Sequence, residues 1–136
     1  MRALLTAAFG LGFVGVLIAA FGAHALDPDI SEISTGRIAE LKDNWRTGTS
    51  FLFFHVLAAL ACSQLAGQSR LFLRAGMILL LGGALFSFGV WISALSEARD
   101  LGFGAFGVMA PVGGLTMMAG WLVGAIAAFR LKSASP

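Results

Sequence analysis

The sequence predicts an all-α integral membrane protein built as a four-helix bundle. Hydrophobic residues make up 58% of the 136-residue chain and charged residues only 12%, whereas soluble domains average about 45–50% and about 25%. Four membrane spans of about 20 residues each would use about 80 positions, close to this apolar share. A short chain with so little charge cannot cover a soluble surface. The composition therefore excludes a soluble enzyme domain, a disulfide-stapled secreted module and a disordered tail.

The first predicted span covers residues 3–26, which carry no charge between Arg2 and Asp27. Ala23-His24-Ala25 imitates the A-x-A cleavage site of a signal peptide. The apolar stretch exceeds the roughly 7–15 residues of a signal-peptide core, so we interpret it as a retained transmembrane helix. The turn signal Asp27-Pro28-Asp29 is expected to end this helix.

The segment from Asp27 to Gly48 is the only long polar stretch. Within it, Ile38, Leu41 and Trp45 recur at i, i+3 and i+7, which predicts a short amphipathic helix. Tryptophan is typical of the membrane–water interface. We therefore predict a short interfacial helix between helices 1 and 2, with a helical lead-in to the second span as the alternative.

Three further spans are predicted at about residues 49–66, 71–95 and 109–131, within a single membrane domain that covers residues 1–136. Charges are segregated between the two sides that these spans define. Every Asp and Glu falls on the side of the long polar stretch, and the side of the termini carries five basic residues: Arg2, Arg70, Arg74, Arg130 and Lys132. Basic residues near span ends favour the cytoplasmic side, so we expect both termini to lie in the cytoplasm.

Small residues at four-residue spacing predict where helices pack, because helix association in lipid depends on close backbone approach. These rows are compatible with packing inside one chain or with a homo-oligomer seam through helix 4. The helix-packing candidates are Gly15, Ala19 and Ala23 in helix 1, and Thr116, Gly120, Gly124 and Ala128 in helix 4.

The polar exceptions among the spans are expected to gather in one leaflet, on the side of the acidic residues. His24 lies near the end of helix 1 and His55 about two turns into a helix that starts near Thr49, so their expected depths differ by about 7 Å. The candidate outer-leaflet site comprises His24, His55, Ser87, Trp91, Pro111, Gly113 and Gly114.

Three interpretations of this site remain open. The histidines can lock helix packing through hydrogen bonds, or they can line a pocket for a quinone, a lipid head group or another amphiphile. They can also form a bis-histidine haem or metal site, although no carboxylate or thiolate supports one.

No catalytic residue, cofactor or metal is predicted. The sequence has no H-E-x-x-H, no G-x-S-x-G and no phosphate-cradling loop, and it offers no nucleophile–base pair. Cys62 is the only cysteine, so no internal disulfide forms. Nine basic residues spread around apolar spans do not build the clustered face that nucleic-acid binding needs.

Four segments in chain order resemble a known family. Their motifs are G-A-F-G-A-H-A-L, H-a-L-a-L-L, F-S-G-S-L-Y and P-i-G-G…G-W, and the matching segments are residues 20–26, 54–60, 85–91 and 110–121. The chain thus resembles the DUF423 family of small multi-pass membrane proteins, which includes bacterial YgdD-like proteins and the mitochondrial transmembrane protein 256 group. The resemblance implies a four-helix, multi-pass protein of the bacterial inner membrane and leaves its molecular function undefined.

The chain departs from the family pattern at polar positions. Phe51 and Leu52 stand where the family often has Tyr and Gln, and Phe88-Gly89-Val90-Trp91 replaces G-S-L-Y. These departures favour packing or lipid contact over catalysis. The leading interpretation is therefore a non-enzymatic accessory or scaffold component of a membrane complex or homo-oligomer. The alternative is a binder or transporter of a small molecule, quinone or lipid around the two histidines.

Overall fold

A computed structural model describes residues 1–25, 35–98 and 105–131. Within these ranges the chain forms four long helices: α1 (Arg2–Ala25), α2 (Thr35–Leu65), α3 (Arg70–Ala98) and α4 (Met109–Phe129), the last preceded by a 3₁₀ turn at Ala105–Val108. All four helices are long and apolar enough to cross a membrane. The predicted all-α, four-helix membrane fold is confirmed. The predicted turn at Asp27–Asp29 lies outside the described residues.

The predicted short interfacial helix is instead the beginning of α2. This helix runs unbroken for 31 residues, or about 46 Å, so the alternative of a helical lead-in describes it. Ile38, Leu41 and Trp45 are buried against the rest of the protein. Their apolar face therefore contacts other helices and is not available to the membrane surface.

The physical reason is a pattern of three- and four-residue spacings that continues through the whole of α2. Such spacing keeps one stripe of the helix facing its neighbours. The stripe includes small and polar residues as well as apolar ones, and its buried members are Ile38, Leu41, Trp45, Gly48, Leu52, His55, Val56, Ala59 and Ser63.

The four helices pack in an antiparallel order in which α2 and α3 are central. α3 packs against both α2 and α4, and α1 packs mainly against α2. The peripheral helices α1 and α4 expose many large apolar side chains, as expected for lipid-facing surfaces. These include Phe9, Phe13, Leu17 and Phe21 in α1, and Leu115, Met118, Leu122 and Phe129 in α4.

The two ends of the bundle differ in charge. At the end where α2 begins and α3 ends, which we call the polar end, Arg37 pairs with Glu97 and also with Glu40 at 3.9 Å. The opposite, basic end carries Arg2 and Arg70 at the starts of α1 and α3. The segregation of charge in the sequence therefore corresponds to the two ends of one bundle.

Candidate functional site

Two predicted site residues of α3 connect it to α2 near the polar end. The fully buried Ser87 donates its hydroxyl to the Gly48 carbonyl at 2.6 Å. The Trp91 indole N–H donates to the Trp45 carbonyl at 3.2 Å. A backbone carbonyl has two lone pairs, so each α2 carbonyl can accept from α3 while keeping its place in the helix. A Cβ on Gly48 would lie 2.9 Å from the Trp91 indole nitrogen, so this approach requires glycine.

Trp45 connects α1 to the same cluster. Its indole N–H donates to the Ile18 carbonyl at 3.0 Å, and its ring lies 6.0 Å from the Trp91 ring between centroids. A Cβ on Gly22 would overlap the Trp45 indole. Only glycine at this position of α1 therefore leaves room for the tryptophan.

His55 connects α2 to α4 in a deeper layer. Its Nδ1 lies 2.7 Å from the Phe51 carbonyl, and the Trp121 indole N–H donates to its Nε2 at 3.3 Å. An indole N–H can only donate, so the His55 Nε2 accepts. The proton of the neutral ring then lies on Nδ1, which donates a hydrogen bond to the Phe51 carbonyl. Both ring nitrogens of a neutral imidazole are thus used within the chain. A Cβ on Gly83 would lie 2.8 Å from the His55 Cβ. The backbone of α3 therefore packs directly against the histidine side chain.

These bonds make α2 the centre of the polar contacts. Among residues 1–25, 35–98 and 105–131, every interhelical side-chain hydrogen bond has one partner on α2. In the same part of the chain, no buried side-chain nitrogen or oxygen lacks a partner. The arrangement holds helices together, and each buried polar side-chain atom in the described ranges already has a partner within the chain.

His24 does not join this cluster, so the expectation that the depths of the two histidines differ by only about 7 Å is wrong. The contacts of Gly22 with Trp45 and of Gly15 with Leu52 set the register of α1 on α2. In that register His24 is level with residue 43, about 18 Å along the bundle from His55. The prediction started the second helix near Thr49, whereas α2 starts at Thr35. His24 is exposed on the last turn of α1.

This separation removes the geometry that a bis-histidine haem or metal site needs. His55 already uses both nitrogens, and His24 lies several turns away. Within the described ranges, no group of three or more His, Cys, Asp or Glu side chains could hold a metal ion.

The predicted residues at the start of α4 do not converge on a pocket either. Pro111 is exposed, and Gly114 has no heavy atom within 4 Å of the position of a Cβ. Gly113 is different, because a Cβ there would overlap the backbone of Phe86. Gly113 therefore belongs to the seam between α3 and α4.

The seam between α3 and α4 is built from glycines on both helices. A Cβ on Gly82 would lie 2.6 Å from the Met117 backbone nitrogen, and one on Gly89 would lie 2.7 Å from that of Ala110. The buried residues of α4 are Gly113, Met117, Gly120 and Ala127.

The predicted packing rows coincide with this geometry only in part. Gly15 is buried against Leu52, and Gly120 against Leu79. Gly124 is looser, since a Cβ there would meet Ala75 at 3.8 Å. Ala19 and Ala23 line a cleft between α1 and α2. Thr116 bonds the Val112 carbonyl of its own helix, and Ala128 is exposed.

Sequence reasoning missed the partners of the predicted residues. The Gly48 carbonyl accepts from Ser87, and the Trp45 carbonyl accepts from Trp91. The Trp121 indole N–H donates to the His55 ring. Two of these partners could have been identified from the sequence. Trp45 and Gly48 belong to the same pattern of three- and four-residue spacings as His55, which places all three on one face of a single helix. No comparable signal joins Trp121 to His55, since that contact depends on how α4 is placed over α3.

Comparison with known proteins gives consistent matches. Residues 18–114 match the family model described as "Protein of unknown function (DUF423)". A UPF0382 inner membrane protein, YgdD of Escherichia coli K12, is 36% identical over 89% of this chain and 85% of its own length. A UPF0382 membrane protein of Staphylococcus haemolyticus is 30% identical over 82% of each chain. No solved structure gives a significant match.

Proposed function

The chain belongs to the DUF423 family of proteins of unknown function, and we propose that it is a non-enzymatic accessory or scaffold component of a membrane complex or homo-oligomer. The observation that carries this proposal is the internal use of the candidate site. Ser87, Trp91 and His55 each bond another group of the same chain. Side chains that bond groups on neighbouring turns and helices of the same chain stabilise helix packing, which supports a structural role for them.

A groove between α2 and α4 supports assembly with another transmembrane helix. It has a volume of about 360 Å³ and lies towards the basic end. Small residues in such a groove permit a neighbouring backbone to approach closely. The small residues that line it are Ala58, Ala61, Cys62, Gly124, Ala125 and Ala128.

We also propose in which membrane the chain lies and on which side of it the termini are. The relative from Escherichia coli is named an inner membrane protein, and we place this chain in the same kind of membrane with both termini in the cytoplasm. The basic residues at the basic end support this orientation. A reporter that is active only in the cytoplasm should work when fused after Pro136 or inserted at Gln68. A silent fusion at Pro136 would contradict the orientation.

The decisive experiment is affinity purification from native membranes, followed by identification of co-purifying proteins and measurement of mass in mild detergent. We expect a partner protein or a second copy, and Gly124→Leu should release it by filling the groove. Gly114→Leu is the matched control at the other end of α4, where a Cβ meets nothing within 4 Å. Recovery of a monomer without any partner from wild-type membranes would overturn the proposal.

An amphiphile site shared by both histidines is not proposed, because the register of α1 on α2 separates them.

A further inference from the structure

A small cleft opens between the last turns of α1 and the second and third turns of α2. Its volume is about 190 Å³. Trp45 forms part of its wall, and the rest is Ala19, Gly22, Ala23, Lys42 and Arg46. The cleft lies at the polar end of the bundle, and it borders the hydrogen-bonded cluster at Trp45, whose carbonyl accepts from Trp91.

Two cations face this cleft from one side of α2. Lys42 and Arg46 are four residues apart, so their side chains are neighbours on the helix surface. The described ion pairs at this end of the bundle join Arg37 to Glu40 and to Glu97. Asp43 is exposed on α2, and neither it nor Glu40 lines the cleft. A lysine and an arginine side by side favour a phosphate, which accepts several charge-assisted hydrogen bonds.

The surroundings of the cleft favour a phosphate that carries an apolar tail. Ala19 and Ala23 line the α1 side of the cleft, and their small side chains leave it open towards the lipid. The exposed Phe21 and Leu17 continue α1 towards the bilayer centre, and the Phe21 ring lies 6.3 Å from the Trp45 ring between centroids. Cations at the edge of an apolar, lipid-facing surface match the amphipathic character of a phospholipid.

We propose that this cleft binds the phosphate of an anionic phospholipid. Lys42 and Arg46 hold the phosphate, Trp45 and the alanines contact the glycerol region, and the acyl chains follow the exposed side of α1. This inference does not depend on the accessory role, because the side chains that hold the phosphate, Lys42 and Arg46, take no part in the hydrogen bonds that join α2 to α3 and α4. It deepens the lipid-binding alternative by placing the lipid between α1 and α2, away from His55.

The test is a titration of purified protein in neutral detergent with phosphatidylglycerol, with bound lipid counted by native mass spectrometry. Lys42→Gln combined with Arg46→Gln should weaken binding about tenfold or more, since each cation near an anionic lipid contributes substantially. Ala23→Leu keeps both charges and fills the cleft, so it should weaken binding as well. Arg70→Gln with Arg74→Gln is the matched control, because it removes two exposed cations at the same spacing from the basic end.

The outcomes separate the possible ligands. Binding that survives both cleft variants, or that falls equally in the Arg70 and Arg74 control, overturns the proposal. Equal affinity for phosphatidylglycerol and phosphatidylcholine also overturns it, because the net charge of the lipid then has no role. Inorganic phosphate that competes fully at equal concentration would assign the cleft to a soluble anion. Thermal unfolding of each variant, followed by circular dichroism, shows whether the fold is retained.

Discussion

The interfaces made by α2 and the seam between α3 and α4 hold helices together in different ways. Around α2, tryptophan, serine and histidine side chains bond groups on the neighbouring helices. In the seam, glycines such as Gly82 and Gly113 bring two backbones into direct contact. No described side-chain hydrogen bond joins α3 to α4.

The difference shows what each kind of contact contributes in a membrane. Lipid is as apolar as the helix surfaces, so burial of apolar side chains gives little advantage and close packing has to replace it. Single interhelical hydrogen bonds in membranes contribute about 0.6 kcal/mol on average. An atom added where two backbones touch forces the helices apart and affects every contact along the seam. We therefore expect the glycines to be more sensitive to substitution than the polar side chains.

The largest effect is expected at the seam. Gly113→Ala should destabilise the protein by about 1–3 kcal/mol, because the new methyl group would overlap the Phe86 backbone, which cannot move without the rest of α3. Unfolding in a mild detergent titrated with a denaturing one measures this. Gly114→Ala is the control, since its methyl group meets nothing within 4 Å. Equal stability of the two variants would show that α3 and α4 are not packed as described.

The second effect is expected between α1 and α2. Gly22→Ala would place a methyl group in the Trp45 indole, and overpacking of this kind costs about 1–3 kcal/mol. We expect the lower half of that range, because a side chain can turn away more easily than a backbone. Gly10→Ala serves as the control on the same helix, where a Cβ has no neighbour within 4 Å and alanine favours helix by about 1 kcal/mol. If Gly10→Ala were destabilising and Gly22→Ala neutral, the face of α1 that packs against α2 would be the opposite of the one described.

A smaller effect is expected for Ser87→Ala. The variant loses one bond to Gly48, which is comparable to the average of about 0.6 kcal/mol for membrane proteins. Ser93→Ala on the same helix is the matched control, since Ser93 is only partly buried. The difference in unfolding free energy between the two variants measures the bond. A Ser87→Ala loss larger than that of Gly113→Ala would contradict the ranking of the two kinds of interface.

The smallest effect is expected between α2 and α4. The Trp121–His55 bond is longer than that of Ser87, and Trp121 is exposed. His55→Gln and Trp121→Phe should therefore each cost less than the average of about 0.6 kcal/mol for one such bond, and so should their coupling in a double-mutant cycle. Retention of partner proteins by His55→Gln is also expected, since the histidine has a structural role. Loss of the partners with the fold intact would instead assign His55 to a binding site.

The amphipathic start of α2 could be predicted from the sequence because it depends on one helix. The spacing of Ile38, Leu41 and Trp45 places them on one face, which the sequence assigned to the membrane surface and the structure buries against other helices. That spacing also predicts a helix, but it does not show whether the helix stops before Thr49 or continues through it. The sequence analysis ended the interfacial helix before Thr49 and began the second span there, which placed His55 too close to the membrane edge. This one boundary made the expected difference in depth between His55 and His24 too small.

The sequence by itself determined that the chain is a four-helix membrane protein with charges divided between two ends. It could do so because lipid offers no hydrogen bonds to the backbone, so that long apolar segments must be helical. Only the tertiary structure decided which polar groups meet. The register between helices depends on where glycines such as Gly22 and Gly83 allow close approach, and a shift of one turn would give Trp45 and His55 different partners.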